Sequence, residues 1–387
     1  MRIAFLIGST HQVPTFGGEV RVYHLAKSLA LNSVQVDLFG SNFDISEMPK
    51  STRQLQLYPD SSGGHWYPIT ARGLLAMARR SPSMGRLTRL LGDYDSVISE
   101  LGAAWQVLPL SPLKDTTLIL DEHNVEWQLM RQMESFSSEH QPWSRLRLYE
   151  RLCHLASDRV LVVSERDGAL FQRDGTPAKK LLTVPDGVDT KVFRIDPELG
   201  RLARDRYMIG HGTPLALYMG SMRYFPNVDA ARTIIGQIFP QARKAAPALK
   251  MMILGAASQR VLGDGNQDLI IANGVPHREV PGIVNAADLC IAPLRYGSGI
   301  KFKVLEWMAC RKVVVATSKA AEGIGVENGR EIIIENDFGR YAALISQLLA
   351  DPAYANEIGH NARQFVLKNL DWDVCSEPLL RYVRHRE

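Results

Sequence analysis

The stretch Leu289–Thr317, LCIAPLRYGSGIKFKVLEWMACRKVVVAT, reads as strand, glycine-rich loop, helix and strand in succession. LCIAPL and KVVVAT are short apolar runs, and the amphipathic segment between them, starting near Ile300, is long enough for a helix. Two strands joined through a helix form a parallel pair, because parallel neighbours need a crossover connection. The same alternation extends outward. Upstream lie ALYMG, KMMILG and DLIIAN, downstream EIIIEN, with helical stretches such as Val228–Lys244 and Ala342–Leu349 between them. The first half repeats the scheme with RIAFLIG, VQVDLF, SVIS, TLILD and RVLVVS. Strands alternating with helices predict parallel sheets covered on both faces.

A chain of 387 residues exceeds one comfortable core, and two such sets predict two doubly wound α/β domains. Turn formers concentrate in VPDGVD, DPELG and GHGTP between Thr183 and Pro214, which places a boundary there. The expected division is 1–190, 191–368 and a final segment 369–387. Forty-five basic against forty-one acidic residues leave a net charge of +4, far from the dense positive charge of a nucleic-acid binder. Cys153, Cys290, Cys310 and Cys375 are widely spaced, without a CxxC pair, which suits a reducing cytoplasm and argues against a structural metal. MRIAFLIGST is too short in its apolar run for a signal peptide or a membrane span and reads as a buried first strand. Membrane contact is therefore expected to be peripheral. Its candidate is 71–91, with five arginines, no acidic residue and interleaved leucines and methionines, although a solvated helical face has the same composition.

Ligands of doubly wound sheets lie beyond the carboxyl ends of the strands. Four segments place chemistry there. After the first strand, Gly17 and Gly18 precede an amphipathic helix and allow close backbone approach to an anion, or make an ordinary turn. LILDEHNVEW ends a buried strand in Asp121, Glu122, His123 and Asn124; the histidine can move protons, donate a hydrogen bond or serve as a cap. ALYMGSMRYFPN puts Gly220 and Arg223 between a strand and a helix start, where a cation suits an anion or is simply solvated. In GSGIKFKVLE, Gly297 and Gly299 bare backbone amides, Lys301 and Lys303 add charge, and Glu306 can accept from sugar hydroxyls. Ser164 in VSERD reads as a helix N-cap and Asp186-Gly187 as a turn. No complete GxGxxG or Walker pattern is present.

Taken in order, FGGEVRVYHLAKSLA, DEHN, VSERD, VPDGVDTKVF, YMGSMRYFPNVDA, AADLCIAPL and GSGIKFKVLEWMACRKVVVAT resemble the family 4 glycosyltransferases over nearly the whole chain. That resemblance implies a retaining GT-B enzyme, two Rossmann-like domains facing each other across a cleft, with NLDWDVCSEPLLRYV as the helix crossing back to the first. It implies a nucleotide-diphosphate sugar donor on the second domain and a saccharide, lipid-linked or small-molecule acceptor on the first. It further implies bacterial polysaccharide or glycoconjugate synthesis at the inner face of the membrane, with no metal or other cofactor. By position, Glu306 matches the ribose-binding glutamate and Gly299, Ile300 and Lys301 the phosphate-facing loop, with Gly297 and Ser298 beside them as donor-binding candidates. Gly17 and Gly18 match the facing loop of the first domain, and His123 the histidine near the reacting sugar, with Glu122 and Asn124 on the acceptor side.

Two departures stand out. Ser298 occupies the place of the first of two glutamates in the family pattern, and Ser221 and Asn227 stand where an arginine and a lysine are common. A diphosphate leaving group gains negative charge in the transition state, so positioned cations are required. Lys301, helped by Lys303 or Arg223, is expected to supply them. No isolated carboxylate suggests a covalent nucleophile. A nucleotide-sugar epimerase or a non-catalytic sugar-nucleotide binder on the same scaffold are the alternatives.

Overall fold

The computed structural model describes residues 1–7, 17–40, 43–55, 90–104, 115–133 and 143–385. All but the last two residues of the basic segment 71–91 lie outside this set. The described chain forms two compact units, Met1–Asp186 together with Cys375–Glu387, and Gly187–Val374.

The first unit is built on a seven-stranded sheet: β1 (Arg2–Leu6), β2 (Gln35–Phe39), β3 (Thr52–Leu55), β4 (Ser96–Glu100), β5 (Thr117–Glu122), β6 (Arg159–Val162) and β7 (Leu181–Thr183). Their order is β3-β2-β1-β4-β5-β6-β7, and every pairing is parallel. Ile3, Phe5, Val36, Leu38, Ile98, Ile119 and Leu161 are buried, as continuous apolar runs of a two-faced sheet require. The short edge strands TRQL and LLT lack such runs and were not legible as strands.

The second unit repeats the plan with β8 (Leu215–Met219), β9 (Lys250–Leu254), β10 (Leu269–Ala272), β11 (Leu289–Ala292), β12 (Val313–Ala316) and β13 (Ile333–Ile334). Its order is β10-β9-β8-β11-β12-β13, again all parallel. EIIIEN thus contributes only a two-residue strand. The stretch expected as one helix, Val228–Lys244, is α-helical at Phe225–Thr233 and Phe239–Ala245 with a π-turn at Ile234–Ile238 between. Pro240 has no N–H for the ordinary i−4 bond, and the wider turn absorbs that loss.

In both sheets the strand order reverses direction beside the first strand of the unit, between β1 and β4 and between β8 and β11. Such switch points open a crevice at the carboxyl ends of the strands. The terminal helix Glu377–His385 belongs to the first unit, where Leu379, Leu380 and Val383 are buried and Ser376 Oγ lies 2.6 Å from Ser28 Oγ.

Candidate active site

In the second unit the site residues converge on the β8/β11 switch point. Gly220 follows β8, and the loop after β11 carries Gly297 and Gly299 at φ 134° and 64°, backbone that favours glycine. The next helix begins at Phe302 rather than at Ile300, because Lys301 is still extended (φ −97°, ψ 95°) in the N-cap position. Lys301 turns its ammonium back to the carbonyls of Ser298 (3.1 Å) and Gly299 (2.6 Å), which ties the loop closed. Ser298 and Ile300 are buried.

In the first turn of that helix, Lys303 reaches across to the end of β8. Its ammonium donates to Asn227 Oδ1 at 2.6 Å and lies 3.3 Å from the Tyr218 hydroxyl. Asn227 is held in turn, donating through Nδ2 to Ser221 O (3.0 Å) and accepting from the Tyr218 hydroxyl (3.0 Å). A Cβ on Gly220 would stand 2.6 Å from Lys303 Nζ, so the glycine makes room for the ammonium. Burial, reinforced by the nearby Lys301, pushes Lys303 down to about 7, although Glu306 opposes the shift. Burial likewise raises Glu306 to about 7, with Lys303 opposing. Two groups poised near neutrality, beside bared amides and a helix start, suit a ligand that brings its own negative charge. Arg223 is exposed, and its backbone N–H donates to Ser221 Oγ at 3.3 Å.

The first unit holds a second cluster at the ends of β4 and β5. His123 packs directly on Gly18, where a Cβ would fall 2.5 Å from the ring Nδ1. Only a glycine fits there. The other ring nitrogen, Nε2, lies 3.2 Å from Asp121 Oδ2 and 4.0 Å from Glu100 Oε1. Asp121 is fixed by Arg21, whose Nε donates to Oδ1 at 2.9 Å while Nη2 lies 2.8 Å from the same oxygen without hydrogen-bond alignment. Arg21 Nη1 donates to Val184 O (2.8 Å) and Asp186 Oδ1 (3.0 Å). Burial disfavours a charge on His123, but the Asp121 carboxylate outweighs it and raises the imidazole to about 9. Burial also opposes ionisation of Asp121, yet Arg21 and His123 hold it well below the usual carboxylate range. His123 is therefore a cationic hydrogen-bond donor at neutral pH.

Glu122 faces the other side of β5, as alternation along a strand dictates. It is buried against His154 Nε2 (2.9 Å), away from His123. Burial carries Glu122 well above the carboxylate range and lowers His154 to about 4, so the pair is neutral. Asn124 donates to Glu126 Oε1 (3.0 Å), and Gly17 opens the helix Gly17–Leu31. Ser164 caps its helix as read, accepting from Asp167 N at 3.1 Å. Asp186-Gly187, expected as a turn, lies in irregular backbone without one, with Asp186 spent on Arg21 and Gly187 pressed against Leu370 O.

Arg21 and Tyr218 were not singled out from sequence; Asp121 was read only among the polar groups ending its strand, Asp186 only as a turn residue and Asn227 only as a departure from the family pattern. Arg21 left one signal: it lies four residues before Leu25 on the apolar face of its helix, where an unpaired charge is untenable.

Among the described residues no group of three or more His, Cys, Asp or Glu could hold a metal ion. Two doubly wound parallel-sheet units are the architecture of the GT-B glycosyltransferases. A family model described as Glycosyltransferase Family 4 matches residues 16–192, and one described as Glycosyl transferases group 1 matches residues 213–351. The chain belongs to the family 4 glycosyltransferases, enzymes acting with nucleotide-sugar donors in glycoconjugate synthesis. Among relatives, the GDP-mannose-dependent alpha-(1-6)-phosphatidylinositol monomannoside mannosyltransferase of Mycolicibacterium smegmatis is 24% identical over 81% of this chain and 83% of its own. Among solved structures, sucrose-phosphate synthase from Thermosynechococcus elongatus superposes with a TM-score of 0.76 at 17% identity, covering 100% of this chain and 98% of that one. Anabaena HepE, solved in complex with UDP-glucose, gives 0.73 at 16% identity, covering 99% of each chain.

Proposed function

We propose that this glycosyltransferase binds the diphosphate of its donor at Gly297–Lys303 and transfers the sugar with retention, with side-chain cations rather than a metal meeting the leaving-group charge. The observation that carries the reading is the seat of Lys303. The family resemblance implies a lysine at the position of Asn227, and here an ammonium reaches the tip of that side chain from the neighbouring helix. The cation has been supplied from another element at the same place. Lys301 orders the loop whose amides face the phosphates, and Glu306 takes the ribose hydroxyls. Ser298 leaves the sugar without the usual carboxylate.

In a same-face substitution the bond from the anomeric carbon to the phosphate oxygen breaks as the acceptor oxygen bonds to that carbon. The acceptor proton passes to the departing phosphate. Lys303 and the start of helix Phe302–Ala309 stabilise the charge that develops there. Cationic His123, oriented by Asp121, donates a hydrogen bond to the sugar. The relatives that act on phosphatidylinositol mannosides support a lipid-linked acceptor and make GDP-mannose the first donor to assay, with UDP-glucose second.

The test is a charge swap. Lys303→Asn should lower kcat by on the order of 10²-fold or more. Asn227→Lys in that background should restore at least about tenfold of it, by returning an ammonium to the same point. A double variant no better than the single one overturns the assignment. Undiminished transfer in EDTA and an unchanged anomeric configuration by NMR of the product check the other two elements.

A further inference from the structure

From the helix Trp143–Ala156 we infer that this enzyme seats an outward leucine stripe, flanked by arginines, on an anionic lipid surface. The inference rests on the lipid-linked acceptor of the proposed function for its purpose, and on this helix for its geometry. Leu148, Leu152 and Leu155 are 58%, 52% and 47% exposed. Their spacing of four and three residues stacks them into one stripe along the helix. At about 100° per residue, Arg145 and Arg151 lie roughly 60° to either side of that stripe. Both are exposed, as is Arg147, which pairs with Asp174. The single carboxylate of the helix, Glu150, is buried on the opposite face.

An apolar stripe between two cationic flanks complements the acyl boundary and the headgroups of an anionic bilayer. A protein partner would need carboxylates on both sides of an apolar ridge; a lipid surface offers that arrangement everywhere. The inner face of the same helix connects the stripe to the acceptor side of the unit. Glu150 accepts from the amides of Glu126 (2.9 Å) and Trp127 (3.2 Å), and His154 holds Glu122, the residue next to His123. No helix among the described residues is long and apolar enough to cross a membrane, so contact of this kind is by surface seating.

The experiment is co-sedimentation of the full chain with vesicles of phosphatidylcholine and phosphatidylglycerol, against vesicles of phosphatidylcholine alone. Leu148→Ser/Leu152→Ser/Leu155→Ser should lower partitioning onto the mixed vesicles by on the order of tenfold or more. Arg145→Glu/Arg151→Glu should do the same on mixed vesicles, with little change on phosphatidylcholine. Both variants replace exposed side chains, and an unchanged far-UV circular dichroism spectrum and urea-unfolding transition confirm that the first unit, which carries this helix, is intact. Equal partitioning of the serine variant and the parent overturns the inference, whatever other segment binds lipid. A parent that is dimeric by light scattering, with a monomeric serine variant, overturns it in favour of a second copy. Either result leaves the Lys303 charge swap standing or falling by itself.

Discussion

Lys303 and Glu306 lie one helical turn apart with burial working against the charge of each. A lysine drawn down to about 7 is a weak cation until an anion arrives. Diphosphate binding should therefore draw a proton onto Lys303, and nucleotide affinity should fall as pH rises above about 7. Calorimetry in buffers of different ionisation enthalpy measures that proton, and the difference between the parent and Lys303→Asn isolates it from Glu306. Equal uptake by the two proteins would count against the assignment. His123 behaves oppositely. Its pKa is raised to about 9, so the stability of its pairing with Asp121 is fully present below the unfolded value near 6.5 and is lost as pH rises through about 9. The alkaline limb of transfer should lie near pH 9, and Asp121→Asn should move it to lower pH. An unmoved limb would show that another group titrates there. A conservative His123→Gln, which keeps a donor, should retain more turnover than His123→Ala.

At the scale of elements, Arg21 joins three pieces of the first unit. It lies on the helix Gly17–Leu31 and binds Asp121 on β5, together with Val184 and Asp186 after β7. Arg21→Met should cost about 3–5 kcal/mol, since it leaves Asp186 buried without its ion-pair partner and Asp121 with His123 alone. Urea unfolding measures this; a loss below about 1 kcal/mol would mean that water reaches the carboxylates. Gly220 tests the other unit. Gly220→Ala places a methyl 2.6 Å from both Lys303 Nζ and Asn227 Cγ, and should weaken nucleotide binding by about tenfold or more and also lower the melting temperature of the free protein, because the hydrogen-bonded pair must shift.

For the whole molecule, each unit has its own parallel sheet and its own buried core, so donor binding should be felt in one of them first. Hydrogen exchange with saturating nucleotide should protect Gly220–Asn227 and Gly297–Lys303, with far smaller changes in β1 to β7. Protection confined to the first unit would reverse the donor assignment. Most of the strands were legible in the chain because buried parallel strands are uninterrupted apolar runs. β3, β7 and the brevity of β13 were not, since edge strands have one neighbour and need little hydrophobicity. The π-turn was hidden in a single proline.

By itself the sequence determined two doubly wound units and the residues of the glycine-rich loop, because apolar periodicity and glycine placement are local properties of the chain. Tertiary structure alone decided how charge is arranged. That Lys303 rather than Arg223 stands at the end of β8 depends on a contact between residues 76 positions apart, Lys303 and Asn227. That His123 is a cation depends on Asp121, and through it on Arg21, 100 positions away. The pKa of a group follows from the depth of its burial and the charges within a few ångströms. Both are set only when distant segments pack, and no spacing in the sequence records them.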